Sequence, residues 1–170
     1  MEGELLYEVD EHDRVVGPRA RGEVHRLGLR HRAVHILVFN ERHEILLQKR
    51  SRTKDINPGL WDTSAAGHVD WGESYDDCAT RELGEELGIA GRELLRFLFK
   101  LPASPQTGWE FVQVYRMIHS GALQPDRGEI DECRWFDRNE LDAWVNGPGT
   151  GLTSSFRLIW RTYRDLESGR

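Results

Sequence analysis

Only two cysteines, Cys78 and Cys133, occur in the 170 residues, and neither stands in a C-x-x-C pair or a zinc-type spacing. That argues against a disulfide framework and predicts a reduced, cytoplasmic setting. Long apolar runs are missing too: no stretch approaches the roughly 20 residues of a membrane span. The opening MEGELLYEVDEHD is acidic and has no apolar core, so no signal peptide is expected in it. Positive charge is not in excess. With 23 Lys and Arg against 29 Asp and Glu, the net charge of −6 argues against general nucleic-acid or membrane-surface binding. Repeats, low-complexity tracts and linkers are absent as well, which predicts one domain over 1–170. Hydrophobic residues at 38% and charged residues at 31% describe a chain that folds around a real core.

Strand and helix signals alternate along the chain. Leu5–Val9 and Val15–Gly17 flank a polar turn at Glu11–Asp13, which predicts a hairpin. His31–Phe39 is rich in β-branched and aromatic residues. A polar turn at Asn40–Glu44 separates it from a partner strand at Ile45–Gln48. Loops are expected at SRTKDINPG and at Gly67–Gly72. Ser74 opens a helix as its cap, with Asp77 in the reciprocal position, and Gly88 stops it. Further strands are expected near Leu95–Leu101, Glu110–Ile118 and Cys133–Phe136. A short helix follows, capped by Asp137 with Glu140, and a last one spans Ser154–Leu166. The order predicts an α/β (α+β) fold, a mixed sheet sandwiched between helices.

The central helix is electrostatically awkward. At 3.6 residues per turn, positions 82, 85 and 86 lie at roughly 0°, −60° and +40°. Glu82, Glu85 and Glu86 therefore crowd one stripe, leaving Leu83 and Leu87 for the core. Like charges at these spacings each destabilise a helix by about 0.2–0.5 kcal/mol. Anions in the last turn oppose the helix dipole by about 0.3–1 kcal/mol. A solvated structural face would carry lysine there. A bound divalent cation is the simplest compensation, and an all-carboxylate donor set suits Mg²⁺ or Mn²⁺. In the preceding loop, Gly67 and Gly72 permit tight backbone geometry that lets a main-chain carbonyl join the ligands. Arg81 lies close enough to Glu82 and Glu85 to orient one of them. Gly84, in mid-helix, costs about 1 kcal/mol relative to alanine.

The segment GHVDWGESYDDCATRELGEELGI resembles the Nudix box, G-x5-E-x7-R-E-U-x-E-E-x-G-U with U aliphatic. It matches every specified position: Gly67, Glu73, Arg81, Glu82, Leu83, Glu85, Glu86, Gly88 and Ile89. At ordinary residue frequencies such a match has a chance on the order of 10⁻⁹ per starting position. The resemblance implies the Nudix α/β/α sandwich, Mg²⁺ or Mn²⁺ dependence, and hydrolysis of a nucleoside diphosphate linked to a group X. It implies Glu82, Glu85 and Glu86 as metal ligands with the Gly67 carbonyl, and Glu73 with Arg81 as the pair bracing loop against helix. Metal ions neutralise diphosphate charge and acidify the attacking water, and a carboxylate then takes its proton. Glu85 is the first candidate for that base, with Glu129 and Glu132 as alternatives.

Arg50, Arg52 and Lys54 follow the second long strand. A solvated loop explains them, and so does a clamp on diphosphate oxygens. RHRAVHILVFN, LLQKRSRTKD and NPGLWDTSAAGHVDWGES resemble the Nudix branch that includes type I isopentenyl-diphosphate isomerase. This resemblance implies that Arg50 and Lys54 hold the substrate diphosphate. It also implies a second metal site at His25, His31 and His68, with Glu110 as a further ligand. His12, His43 and His119 are read as structural. The isomerases carry a cysteine before the Gly-His of that loop, where this chain has Ala66, and their box is degenerate where this one is intact. A hydrolase acting on a small-molecule diphosphate is therefore expected, with the isomerase and a non-catalytic diphosphate sensor as the competing readings. Dimerisation is common among such folds, so a homodimer is expected at that level only. Trp61, Trp71 and Trp109 are weighed as base-stacking surfaces against ordinary packing, and packing is preferred. The identity of X is assigned to the segments Pro102–Gly108 and Asn146–Thr153.

Overall fold

The computed structural model describes residues 3–169. An opening hairpin pairs β1 (Leu5–Val9) with β2 (Val15–Ala20), and a short helix α1 (Arg21–Leu27) follows. Then come β3 (His31–Phe39), β4 (Ile45–Arg50), β5 (Trp61–Asp62), β6 (Ala65–His68) and helix α2 (Tyr75–Leu87). The second half supplies β7 (Arg96–Leu101), β8 (Glu110–Ile118), β9 (Ile130–Phe136), α3 (Arg138–Asn146) and α4 (Ser154–Glu167). In the main sheet β3 and β8 run parallel along their whole length, from His31 opposite Glu110 to Phe39 opposite Ile118. The other pairings are antiparallel, so the sheet is mixed as expected.

β3 and β4 meet only at Phe39 and Ile45 and then part. Segment 61–68 fills the opening as a wedge: β5 pairs with β4, and β6 pairs with β3. Ser64 stands at the apex. Its hydroxyl accepts from Val38 N at 2.8 Å and donates to Leu46 O at 2.6 Å, serving backbone groups that a closed ladder would pair directly.

Alternation along β3 builds two cores. Ala33, Leu37 and Phe39 pack with Leu141 and Val145 of α3 and with Phe156, Ile159 and Trp160 of α4. Val34, Ile36 and Val38 pack with Cys78, Ala79, Leu83 and Leu87 of α2. Helices thus cover both faces of the sheet, giving the α/β/α sandwich.

The structure corrects three local expectations. Gly67 and His68 lie in β6, opposite Val34 and Ala33, so the loop expected at 67–72 begins later; long-range pairing decides this, and no local signal carries it. β9 starts at Ile130 instead of Cys133, which puts Glu132 inside a strand. Ser74 caps α2 by accepting from Asp77 N at 3.0 Å, but the Asp77 carboxylate pairs with Arg92 and does not close a capping box. Gly84, whose role the sequence leaves open, is exposed, and a Cβ there would reach only Ile89 O at 3.9 Å.

Candidate active site

The wedge and α2 enclose a cleft of about 980 Å³. One wall is the helix stripe. Glu82 and Glu86 are largely buried there, whereas the Glu85 side chain is 60% exposed. Gly67 faces Glu82 so closely that a Cβ at 67 would stand 2.1 Å from the Glu82 carboxyl carbon. The glycine is needed for close approach; its φ is not in the left-handed region, unlike that of Gly72. Glu86 accepts from Ala66 N at 3.2 Å and from Gln48 Nε2 at 3.2 Å.

Arg81 organises the carboxylates. Its guanidinium donates to both oxygens of Glu73, at 2.7 and 3.0 Å, to Glu82 at 2.8 Å and to Glu85 at 3.2 Å. It also donates to the His68 carbonyl at 3.2 Å, tying helix to strand. Burial works to raise the Glu73 carboxyl, but the Arg81 fork and the Asp70 amide outweigh it and hold it down. Burial pushes Glu82 up to about 7, opposed by Arg81 and reinforced by Glu85. Burial, and the charge of Glu82, raise Glu86 well above the usual carboxylate range. These groups favour a proton or a cation beside them.

A histidine cluster forms a second wall. Register on β3 brings His31 opposite Glu110, and Ala33 opposite His68, while α1 delivers His25. Donor atoms of His25, His31 and His68 lie within 4.8 Å of one another. His68 Nε2 is 3.0 Å from Glu110 Oε2, and His31 Nε2 is 3.4 Å from the same oxygen. His31 Nδ1 donates to Leu29 O at 2.8 Å, leaving a buried Nε2 with no hydrogen-bond partner. That orphaned nitrogen, with its tautomer fixed from behind, fits a metal ligand. Burial, then the neighbouring His68 and Arg21, push His25 down to about 4. Burial also works on Glu110, yet the adjacent His31 and His68 hold its carboxyl well below the usual range.

The remaining predicted residues divide. Arg50 and Lys54 line the cleft, but each already has a partner: Arg50 donates to Ile56 O at 3.0 and 2.9 Å, and Lys54 pairs with Glu129. Glu129 lines the cleft too. Glu132 does not; it pairs with Arg134 at 2.5 Å on β9, which removes it from the candidate bases. Pro105, Thr107 and Gly108 of the first specificity segment border the cleft, while Ser154 and Ser155, just beyond the second, do so in its place. None of Trp61, Trp71 and Trp109 lines it: Trp71 packs on Tyr7 and Trp61 on Phe136.

Sequence reasoning missed several residues of this cleft. His35, Asp62, Arg21 and Asp55 line it and were given no role, nor was Gln48, which reaches Glu86 from the strand. In the structure Arg21 donates to Asp55 at 2.9 and 3.1 Å beside His25. A histidine inside an otherwise apolar strand was the one signal available for His35.

The NUDIX domain family model matches residues 29–152. An uncharacterized Nudix hydrolase of Streptomyces coelicolor is 38% identical over 169 residues, covering 93% of this chain and 90% of that protein. An isopentenyl-diphosphate Delta-isomerase of Photorhabdus laumondii is 32% identical over 171 residues, covering 96% of each. Among solved structures, a Deinococcus radiodurans protein superposes with a TM-score of 0.83 at 26% identity, over 94% of this chain and 98% of that one. Matched across most of its length and carrying an intact box folded around a cleft, the chain belongs to the Nudix family and to its pyrophosphohydrolase enzymes.

Proposed function

We propose that the chain cleaves the diphosphate linkage of a small organic diphosphate, such as a nucleoside diphosphate joined to a group X, with Mg²⁺ or Mn²⁺ as cofactor. The observation that carries this reading is the packing of Glu82 onto Gly67, beside buried Glu86 and exposed Glu85. Such a set of hard oxygen donors suits a divalent cation. Glu82, Glu85, Glu86 and the Gly67 carbonyl would hold it, and a cation there neutralises phosphate charge and acidifies water. Arg81 and Glu73 orient the stripe. Arg50 and Lys54 orient the diphosphate, exchanging their present partners for phosphate oxygens. The free cysteines and the acidic net charge support a cytoplasmic setting and a small-molecule substrate.

The unpartnered His31 Nε2 favours a second metal site at His25, His31, His68 and Glu110. Relatives that are isopentenyl-diphosphate isomerases keep that chemistry in view as the runner-up. Ala66, whose methyl side chain can neither donate nor accept a proton, counts against it. The test is a panel of nucleotide sugars, dinucleotides, oxidised nucleotides, coenzyme A and prenyl diphosphates, assayed with Mg²⁺ and Mn²⁺. Metal-dependent phosphate-bond cleavage is expected, with Glu85→Gln and Glu86→Gln each reduced on the order of 100-fold. Full activity in both variants overturns the ligand assignment, and interconversion of the two five-carbon diphosphates without hydrolysis selects the isomerase.

A further inference from the structure

One imidazole in the cleft belongs to neither wall. His35, at the centre of β3, is 4% exposed, yet it lines the cleft. Its Nδ1 lies 2.7 Å from Thr63 Oγ1, and that hydroxyl donates to Ala65 O at 3.3 Å. Thr63 Oγ1 therefore accepts from Nδ1–H, which fixes the tautomer and leaves a lone pair on Nε2. Nε2 makes no hydrogen bond, and it is not among the buried unpartnered atoms, so it opens on the cleft. A histidine serving packing alone has no reason to have one nitrogen locked and the other open to solvent.

Behind the ring lies a buried carboxylate. Asp62 Oδ1 is 3.7 Å from Nδ1 and accepts from Thr63 N at 2.7 Å, while Arg50 Nη1 approaches Asp62 Oδ2 at 4.0 Å. An anion held on this side stabilises the imidazolium that forms when Nε2 takes a proton. In front, His35 is the cross-strand partner of Ala66, whose amide holds Glu86. Directly opposed residues of an antiparallel pair have Cβ atoms about 4.5–5.5 Å apart. The ring therefore lines the same cleft as the carboxylate wall, from the face of β3 that Ala33 and Leu37 share. Three carboxylates of the cleft are otherwise engaged: Glu85 with Arg81, Glu129 with Lys54, Glu86 with Gln48 and Ala66.

We propose that His35 Nε2 is the general base of the hydrolysis, a role that rests on the diphosphate-cleaving reading above. The water oxygen forms a bond to phosphorus as its proton passes to Nε2. The bridging P–O bond breaks, and its electron pair leaves on the bridging oxygen of the departing phosphate. The imidazolium then releases its proton to solvent, with Asp62 and Thr63 holding the ring.

The test uses the full chain with Mn²⁺ and the panel member cleaved fastest. His35→Asn keeps a donor toward Thr63 but removes Nε2. It is expected to lower kcat by roughly 100-fold or more while KM, Mn²⁺ binding and thermal midpoint stay near the parent values. His35→Ala is expected to be rescued by added imidazoles, with a rate that rises with their basicity, which separates proton transfer from cavity filling. If the parent cleaves and His35→Asn keeps kcat within threefold, His35 is not the base and the diphosphate reading stands. An unrescued His35→Ala that folds and binds Mn²⁺ normally also overturns the role. A parent that cleaves no panel member overturns both.

Discussion

A methyl group at position 67 would occupy the space of the Glu82 carboxyl. Because the far end of Glu82 can swing aside, Gly67→Ala should fold; what it loses is the carboxylate's position. We expect Mn²⁺ affinity to fall on the order of tenfold or more in calorimetric titration, with the thermal midpoint of the cation-free protein little changed. An unchanged affinity would show that Glu82 need not rest on Gly67. At this scale the stripe was legible, because three glutamates on one helix face, two of them in its last turn, are costly without a ligand. His35 was not. Its neighbours Val34, Ile36 and Leu37 are apolar strand residues, and the partners that single it out, Thr63 and Asp62, come from another element.

Helix α2 presents the stripe, and its start depends on one hydroxyl. Ser74→Ala removes the acceptor for Asp77 N and should destabilise the fold by about 1 kcal/mol, read as a lower urea midpoint with an unchanged slope. A larger loss would mean that Ser74 has a second structural role. Both ends of this helix were legible, because Ser74 and the left-handed Gly88 are local devices. Three other elements were not. α1 buries only Val24, too little for a periodic signal. β5 and β6 are short and exist through their pairing with β4 and β3. That is why Gly67 and His68 looked like loop residues.

For the whole molecule, we expect cation binding and folding to be linked. Glu82 titrates higher in the folded protein, near 7, than an ordinary carboxylate. In the cation-free protein its contribution to stability is therefore full below the ordinary range and is lost as pH rises through about 7. A cation bound at the stripe would take the proton's place. Mn²⁺ at 100 times its Kd should add about 2.7 kcal/mol, seen as a raised thermal midpoint, and the gain should shrink as pH falls below 7. In the cation-free protein His25 acts the opposite way: its lowered value costs stability as pH falls from 6.5 toward 4. A midpoint insensitive to Mn²⁺ at pH 8 would contradict the linkage. The wedge 61–68 has a consequence for how such a molecule diversifies. It carries Asp62 and Thr63 at one end and Ala66, Gly67 and His68 at the other, with Ser64 pinned between two strands. Its length is thus a ruler: inserting or deleting one residue there would shift proton-handling and cation-holding groups out of step together. Segment 102–108 borders the cleft without carrying those groups, so we expect substitutions that change the substrate to fall on that rim while the ruler stays the same.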